Sequence, residues 1–205
     1  MRKIFLYGLS ALLLVTLVSH TEHDAKDRWV RLFDGKSLGG WRASENPGTF
    51  TVADGMIIVS GDRAHLFYEG PVNAHNFKNF EFKAQVMTTP GSNSGIFIHT
   101  EFQESGWPSK GYEIQVNNTH TDFRKTGSIY AIQDVKEILV KDNEWFTEHI
   151  IVQGRKITVK LNDKVINEYT DQEGGRLSSG TFALQGHDPQ SRVFYKDVMV
   201  KILPD

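Results

Sequence analysis

Residues 110–117 read Lys110-Gly111-Tyr112-Glu113-Ile114-Gln115-Val116-Asn117, a stretch in which apolar and polar side chains alternate without a break. Successive side chains of an extended strand point to opposite faces. One face of this strand is therefore apolar and suits a core between two sheets. The other face carries Glu113, Gln115 and Asn117, with i and i+2 neighbours roughly 7 Å apart. The stretch predicts a β-strand that packs on one side and presents an acid and two amides on the other.

The polar row has two interpretations. Carboxylates and amides supply hydrogen-bond donors and acceptors, so such a row suits a surface that binds sugar hydroxyl groups. The same row is also compatible with an ordinary solvated sheet face. The spacing alone leaves both interpretations open.

Short alternating segments separated by turn residues recur along the rest of the chain. Phe80–Val86 alternates in the same way, and Asp54-Gly55 and Asn162-Asp163 are typical of hairpin turns. The best helical candidate, Val135–Glu144, is weak because no window shows a convincing helical period with caps. The pattern predicts one all-β domain, built as a two-sheet sandwich or a barrel.

Composition excludes several classes of function. Hydrophobic content of 39% and charged content of 23% are ordinary for a globular protein. A net charge of −2 gives no electrostatic reason to expect nucleic acid or an anionic membrane as a partner. The absence of cysteine removes disulfides, thiolate nucleophiles and cysteine-ligated zinc.

The N-terminus has the pattern of a targeting segment. Arg2 and Lys3 precede the apolar run Ile4–Val18, which is short for a membrane-spanning helix of ~20 residues. We predict that residues 1–22 are a signal peptide for a periplasmic or secreted protein. An uncleaved inner-membrane anchor is the alternative and would be the chain's only membrane contact. The folded domain is predicted to span residues 28–204.

Three segments supply a candidate sugar site if their strands share one sheet. Flat apolar side chains would cover a sugar ring, and directional polar groups would bind its hydroxyls. Trp107 could supply stacking, although a single tryptophan is more often part of a core. The remaining candidates are Phe97, His99 and Glu101, then Glu113, Gln115 and Asn117, then Ala183, Gln185 and His187.

Other chemistries have weaker support. The sequence contains no P-loop, no dinucleotide fingerprint and no Gly-x-Ser-x-Gly nucleophile elbow. His99 with Glu101, or His187 with Asp188, could offer ligands to a divalent metal, but such pairs also occur by chance. No cofactor is predicted beyond this optional metal.

Ordered motifs resemble a known family, the 3-keto-disaccharide hydrolase domain. The motifs cover roughly residues 28–204 and run in this order: Leu32–Trp41, Asn93–Ile98, Gly111–Val116, Gly127–Tyr130 and Leu184–His187. The resemblance implies a concanavalin A-like jelly-roll sandwich of two antiparallel sheets. It also implies bacterial export and action on oxidised sugars, by glycosidic cleavage or by a lyase and hydratase pair.

The single acid of the polar row shapes the expected mechanism. Retaining glycosidases need two carboxyl groups about 5–5.5 Å apart, whereas the row offers Glu113 alone unless Glu101 or Asp134 approaches from elsewhere. A 3-keto sugar needs only one base, because its ketone acidifies the hydrogen on C2. Glu113 or His187 would be that base, and the ketone would be polarised by His99, Lys110 or a metal. Gln115, Asn117 and Gln185 would then hold hydroxyls of a small carbohydrate substrate.

Two other classes of function remain open at this point. A non-catalytic carbohydrate-binding module would use the same face without a titrating group. A structural sandwich of an envelope complex would instead bury Gln115 and Asn117 away from any ligand.

Overall fold

The computed structural model describes residues 28–205, so the predicted signal peptide or anchor at 1–22 lies outside the described residues. This part of the chain forms strands and two short 3-10 turns, at Pro47–Thr49 and Val72–His75. The strands are β1 (Val30–Arg31), β2 (Trp41–Ala43), β3 (Phe50–Ala53), β4 (Met56–Val59), β5 (Ala64–Tyr68), β6 (Phe80–Thr88), β7 (Ser94–Thr100), β8 (Tyr112–Val116), β9 (Phe146–Gln153), β10 (Lys156–Leu161), β11 (Lys164–Thr170), β12 (Thr181–Gly186) and β13 (Val193–Ile202).

The strands form two antiparallel sheets, which confirms the predicted jelly-roll sandwich. The larger sheet has eight strands in the order β11-β10-β9-β6-β13-β4-β3, with β1 also paired to β13. The smaller sheet has five strands in the order β2-β5-β12-β7-β8. Sequence-distant strands are therefore neighbours, and β7 lies between β8 and β12.

The core forms where the apolar faces of the two sheets meet. Phe80 and Phe82 on β6 are fully buried, as the alternation predicts, and the intervening Glu81 is only partly buried. Ile114 and Val116 on β8 join the same cluster from the smaller sheet. The core therefore uses one face of the smaller sheet and leaves its other face for a site.

The weak helical candidate of the sequence is not a helix in the structure. Val135–Glu144 forms no helix, because this segment consists of turns and irregular chain. Its exposed Ile138 and Leu139 do not follow a helical stripe on the core. Among residues 28–205, no helix is long and apolar enough to cross a membrane.

Candidate functional site

A cavity of about 280 Å³ opens on the face of the smaller sheet that is turned away from the core. Strands β7, β8 and β12 form its floor, and the loops before and after these strands form its walls. The cavity is lined by Asn93, Phe97, Trp107, Pro108, Ser109, Gly111, Glu113, Gln115, Tyr130, Arg176, Gln185 and His187.

Glu113 and Gln185 meet across the strand between them. Gln185 Nε2 on β12 donates a 2.7 Å hydrogen bond to Glu113 Oε1 on β8. The intervening β7 carries Gly95 at this point, and a Cβ there would lie 2.5 Å from Glu113 Oε1. The missing side chain of Gly95 therefore makes room for the carboxyl group.

Burial raises the pKa of Glu113 to about 7 from an ordinary value of 4.5. The hydrogen bond from Gln185 favours the charged form and offsets part of this effect. The side chain keeps a partly exposed edge on the cavity, but protein surrounds most of the carboxyl group. At neutral pH Glu113 can therefore be a proton donor as well as a proton acceptor.

Gly95→Ala is expected to push the Glu113 carboxyl group out of position. Gly95 does not require a positive φ, so the expected cost arises from the close contact with Glu113. We expect the catalytic rate to fall about 10²-fold, because displacing a catalytic group by about 1 Å can lower the rate by that factor. Steady-state kinetics would check this, with Gly48→Ala as control because a Cβ at Gly48 meets nothing within 4 Å. Equal activity of the two variants would contradict the positioning of Glu113 by Gly95.

His187 is held by the neighbouring Asp188. The two side chains are hydrogen-bonded at 2.7 Å between His187 Nδ1 and Asp188 Oδ2. Asp188 Oδ2 also accepts from the Ser191 hydroxyl, and its Oδ1 accepts from the backbone N–H groups of Gln190 and Ser191. Burial raises the pKa of Asp188, but the hydrogen bonds from His187 and Ser191 outweigh it and leave that pKa below its ordinary value. An ionised Asp188 fixes the proton of His187 on Nδ1 and leaves Nε2 as the free nitrogen.

Two amide oxygens on the cavity floor accept no hydrogen bond from residues 28–205. Gln115 Nε2 donates to Asn93 Oδ1 at 2.8 Å, and Gln185 Nε2 is used by Glu113. Gln115 Oε1 and Gln185 Oε1 are buried and accept no hydrogen bond from the described residues. An unsatisfied buried acceptor costs about 1–3 kcal/mol. A ligand hydroxyl that donates to either oxygen would remove this cost, as the predicted roles of Gln115 and Gln185 require.

Trp107 lies at the cavity wall beside His187. Its side chain is 46% exposed, which fits a stacking surface better than a core residue. Its ring centroid lies 5.4 Å from that of His187 and 5.6 Å from that of His65. Six predicted site residues therefore line one cavity, namely Phe97, Trp107, Glu113, Gln115, Gln185 and His187.

His99 does not line the cavity, contrary to prediction. It has a φ of +52°, and the pairing of β7 with β12 shifts register between Thr181 and Ala183. This irregularity turns the imidazole towards the core, where its ring packs on Phe80 and its Nε2 lies 2.9 Å from the Lys78 carbonyl oxygen. The strict alternation that placed His99 beside Phe97 fails at this bulge.

The other three predicted binding residues also lie outside the cavity lining. Glu101 and Lys110 form an ion pair with 3.1 Å between Lys110 Nζ and Glu101 Oε2. Asn117 is fully buried, and its Nδ2 donates to the carbonyl oxygens of Asp122 and Arg124. The amide of Asn117 thus stabilises the loop after β8.

Several lining residues were not predicted as site residues. Asn93 and Tyr130 fall inside motifs that carried the family resemblance, so those motifs were the available signal. Arg176 brings its guanidinium group to the cavity and lies 5.7 Å from the Tyr112 ring. It comes from a loop between β11 and β12, for which short-range sequence patterns give no signal.

One cluster beside the cavity has the residue types of a metal site. His120, His187 and Asp188 each offer one ligand atom, and these atoms lie within 4.8 Å of one another. The pairing of His187 with Asp188 was anticipated, whereas His120 comes from the loop after β8. His99 and Glu101, the other predicted metal pair, are separated by the inward turn of His99.

A family profile matches residues 28–201, and its description is "3-keto-alpha-glucoside-1,2-lyase-like domain". The chain belongs to this family. A relative from Bacteroides thetaiotaomicron, named 3-keto-disaccharide hydrolase, is 28% identical over 170 residues. The match covers 70% of this chain but 59% of the relative, so the chain spans less than two thirds of that protein.

Solved structures share the fold of this family member. A proposed glycosyl hydrolase from Parabacteroides distasonis has a TM-score of 0.71 at 21% identity and covers 93% of this chain and 99% of its own. The carbohydrate-binding module CBM66 from Bacillus subtilis has a TM-score of 0.60 at 14% identity, covering 79% and 95% of the two chains. At these levels of identity, the likeness to both structures shows a shared fold.

Proposed function

We propose that the protein cleaves the glycosidic bond of 3-keto-glycosides by proton abstraction from C2, elimination and rehydration. The proposal rests on the observation that two groups line the same cavity. Glu113 is a buried acid with a pKa of about 7, and His187 is an imidazole oriented by Asp188. Environments that make one group a proton donor and a second group a proton acceptor are typical of acid–base catalysis.

The cavity does not suit ordinary glycoside hydrolysis. That reaction uses two carboxyl groups on either side of the glycosidic bond. Glu113 is the only carboxylic acid among the described residues that line the cavity. Glu101 is paired with Lys110 outside it, and Asp134 accepts a 3.2 Å hydrogen bond from Arg124. Neither residue supplies the second carboxyl group.

A 3-keto sugar can be cleaved with one base and one acid. His187 Nε2 takes the proton from C2, and the electron pair of the C2–H bond forms an enolate with the C3 oxygen. When the enolate collapses, the C1–O bond breaks, a C1=C2 double bond forms, and neutral Glu113 protonates the departing oxygen. Water then adds its hydroxyl to C1 and its proton to C2. The net result is hydrolysis without a covalent intermediate.

The N-terminal sequence is the basis for a proposal about the location. The charged and apolar pattern of residues 1–22 supports export, and we propose a periplasmic or secreted protein that meets its small carbohydrate substrate there. An inner-membrane anchor is the alternative form of the same proposal.

A substrate panel tests the proposed activity. We expect the purified protein to cleave a 3-keto-glucoside at least about 10²-fold faster than the unoxidised glucoside, because only the ketone acidifies C2. Product release and deuterium incorporation at C2 would be followed by NMR in D₂O. Equal turnover of the two glucosides, or turnover without deuterium at C2, would contradict the mechanism.

The likeness to the carbohydrate-binding module CBM66 supports a second candidate function, which is sugar binding without catalysis. A binding module would show saturable binding of both glucosides without turnover of either. Calorimetry on the same panel separates this result from catalysis, because an enzyme consumes the 3-keto substrate during the titration.

A further inference from the structure

The loop that follows β8 brings a second imidazole, that of His120, against two residues that line the cavity. The His120 and His187 ring centroids are 5.6 Å apart. His120 Nδ1 also lies 3.4 Å from Nδ2 of Asn93, which lines the cavity. His120 is half-buried, and it has no role in the mechanism proposed above.

The surroundings of His120 fix which ring nitrogen carries the proton. The backbone N–H of Asp122 donates to His120 Nδ1 at 3.1 Å. A backbone amide nitrogen can only donate, so Nδ1 must keep its lone pair. The proton of the neutral ring is then on Nε2, for which the described residues supply no hydrogen-bond partner. His120 therefore presents a free N–H group.

His187 has the opposite arrangement. Its Nδ1 carries the proton that is donated to Asp188, so its Nε2 presents a lone pair. The two neighbouring rings thus offer one donor and one acceptor. Proton abstraction from C2 needs this combination, because the hydrogen to be removed and the C3 oxygen belong to adjacent carbons.

We propose that His120 Nε2–H donates a hydrogen bond to the C3 oxygen of the substrate and stabilises the enolate that forms there. This inference rests on the proposed function. A neutral imidazole is a known electrophile for a carbonyl oxygen, and a donor that is already oriented need not reorganise during the reaction. His99 and Lys110, the groups that the sequence suggested for this task, lie elsewhere.

The cluster of His120, His187 and Asp188 is less suited to binding a metal ion than to the donor role proposed for His120. A metal on His120 Nε2 would move the ring proton to Nδ1, where it would face the N–H of Asp122. Asp188 already accepts hydrogen bonds on both oxygens, from His187, Ser191 and Gln190. A divalent ion would have to break part of this network to reach its ligands.

Two substitutions at His120 distinguish the effect of its hydrogen-bond donor from the effect of its flat ring. His120→Phe keeps a flat ring without a donor, and we expect kcat on a 3-keto-glucoside to fall about 10²–10³-fold with KM nearly unchanged. His120→Gln places an amide N–H near Nε2 and is expected to restore at least about tenfold over His120→Phe. His75→Phe, at an exposed turn outside the cavity lining, is the matched control. His120→Gln also serves as the test variant if His120→Phe does not fold.

Nitrogen-15 NMR shows directly which ring nitrogen of His120 carries the proton. We expect the Nε2–H form of His120 at pH 7–8 in the full-length protein, unchanged by added Zn²⁺. An Nδ1–H form, or one Zn²⁺ bound per chain at micromolar concentration and lost in His120→Phe, would overturn the inference. So would a His120→Phe variant as active as wild type. A wild-type protein without activity on any 3-keto-glycoside would instead remove the proposed function itself, and the role of His120 with it.

Discussion

Glu113→Gln is expected to lower kcat on a 3-keto-glucoside by about 10²–10⁴-fold, the usual contribution of a positioned acid or base. The amide has nearly the same shape and can still contact Gln185, so the fold should be kept. What the variant loses is the proton for the departing glycosidic oxygen. Steady-state kinetics would measure this loss, and Glu137→Gln, at an exposed position outside the lining, is the matched control.

The pH profile shows which role Glu113 has. If it is the acid, wild-type kcat falls as the pH rises through about 7, because the carboxyl group loses its proton there. This descending limb should be absent from the residual activity of Glu113→Gln. A wild-type profile that instead rises through pH 7 would make Glu113 the base and would reverse the roles given to Glu113 and His187.

The same substitution is expected to stabilise the protein at alkaline pH. The pKa of Glu113 is higher in the folded chain, at about 7, than its ordinary value of 4.5, so the native state holds a proton that the unfolded state releases. Stability therefore decreases between these two pH values, by about 3 kcal/mol in total. Glu113→Gln removes this decrease. The site thus retains a group that costs stability at the pH where it is needed.

The fold was predictable because its main signal is local. Alternation with a period of two places Phe80, Phe82, Ile114 and Val116 in the core, and the turn residues divide the chain into strands. The alternating segment Phe80–Val86 accordingly lies within β6 (Phe80–Thr88). The family resemblance predicted the jelly-roll sandwich, whereas the order of strands within each sheet follows from no such pattern and was not predicted.

Within the strands, the site was predictable only where the alternation continues. Glu113, Gln115 and Gln185 lie on regular strands and reach the cavity, whereas His99 lies at a bulge that changes the face of the strand. His120 lies in a loop, where side-chain direction depends on contacts such as the Asp122 N–H. Apart from Trp107 and His187, which the sequence analysis also named, local patterns therefore find side chains on strands and miss those that loops bring to the same place.

Strand β9 carries an acid that the alternation assigns to the core. Phe146, Ile150 and Val152 are buried on one face of β9, and Glu148 shares that face. Glu148 is fully buried, and neither carboxyl oxygen has a hydrogen-bond partner among the described residues. Burial raises the pKa of Glu148 well above its ordinary value of 4.5. The folded protein therefore keeps this side chain neutral at pH values where the unfolded chain ionises it.

Glu148→Met is expected to raise the free energy of unfolding at pH 8 by about 1–3 kcal/mol, the usual cost of a buried polar group without a hydrogen bond. Because the folded pKa lies above 4.5, the proton-linked part of the gain is absent below that pH and grows as the pH rises. Denaturant unfolding at pH 5 and pH 8 would measure the gain, with the exposed Glu137→Met as control. Glu148→Gln should recover the pH-dependent part alone, because it still buries an unpaired amide. A Glu148→Met protein less stable than wild type at both pH values would mean that the carboxyl group makes a favourable interaction in the core, and the account of Glu148 as an uncompensated buried acid would then be wrong.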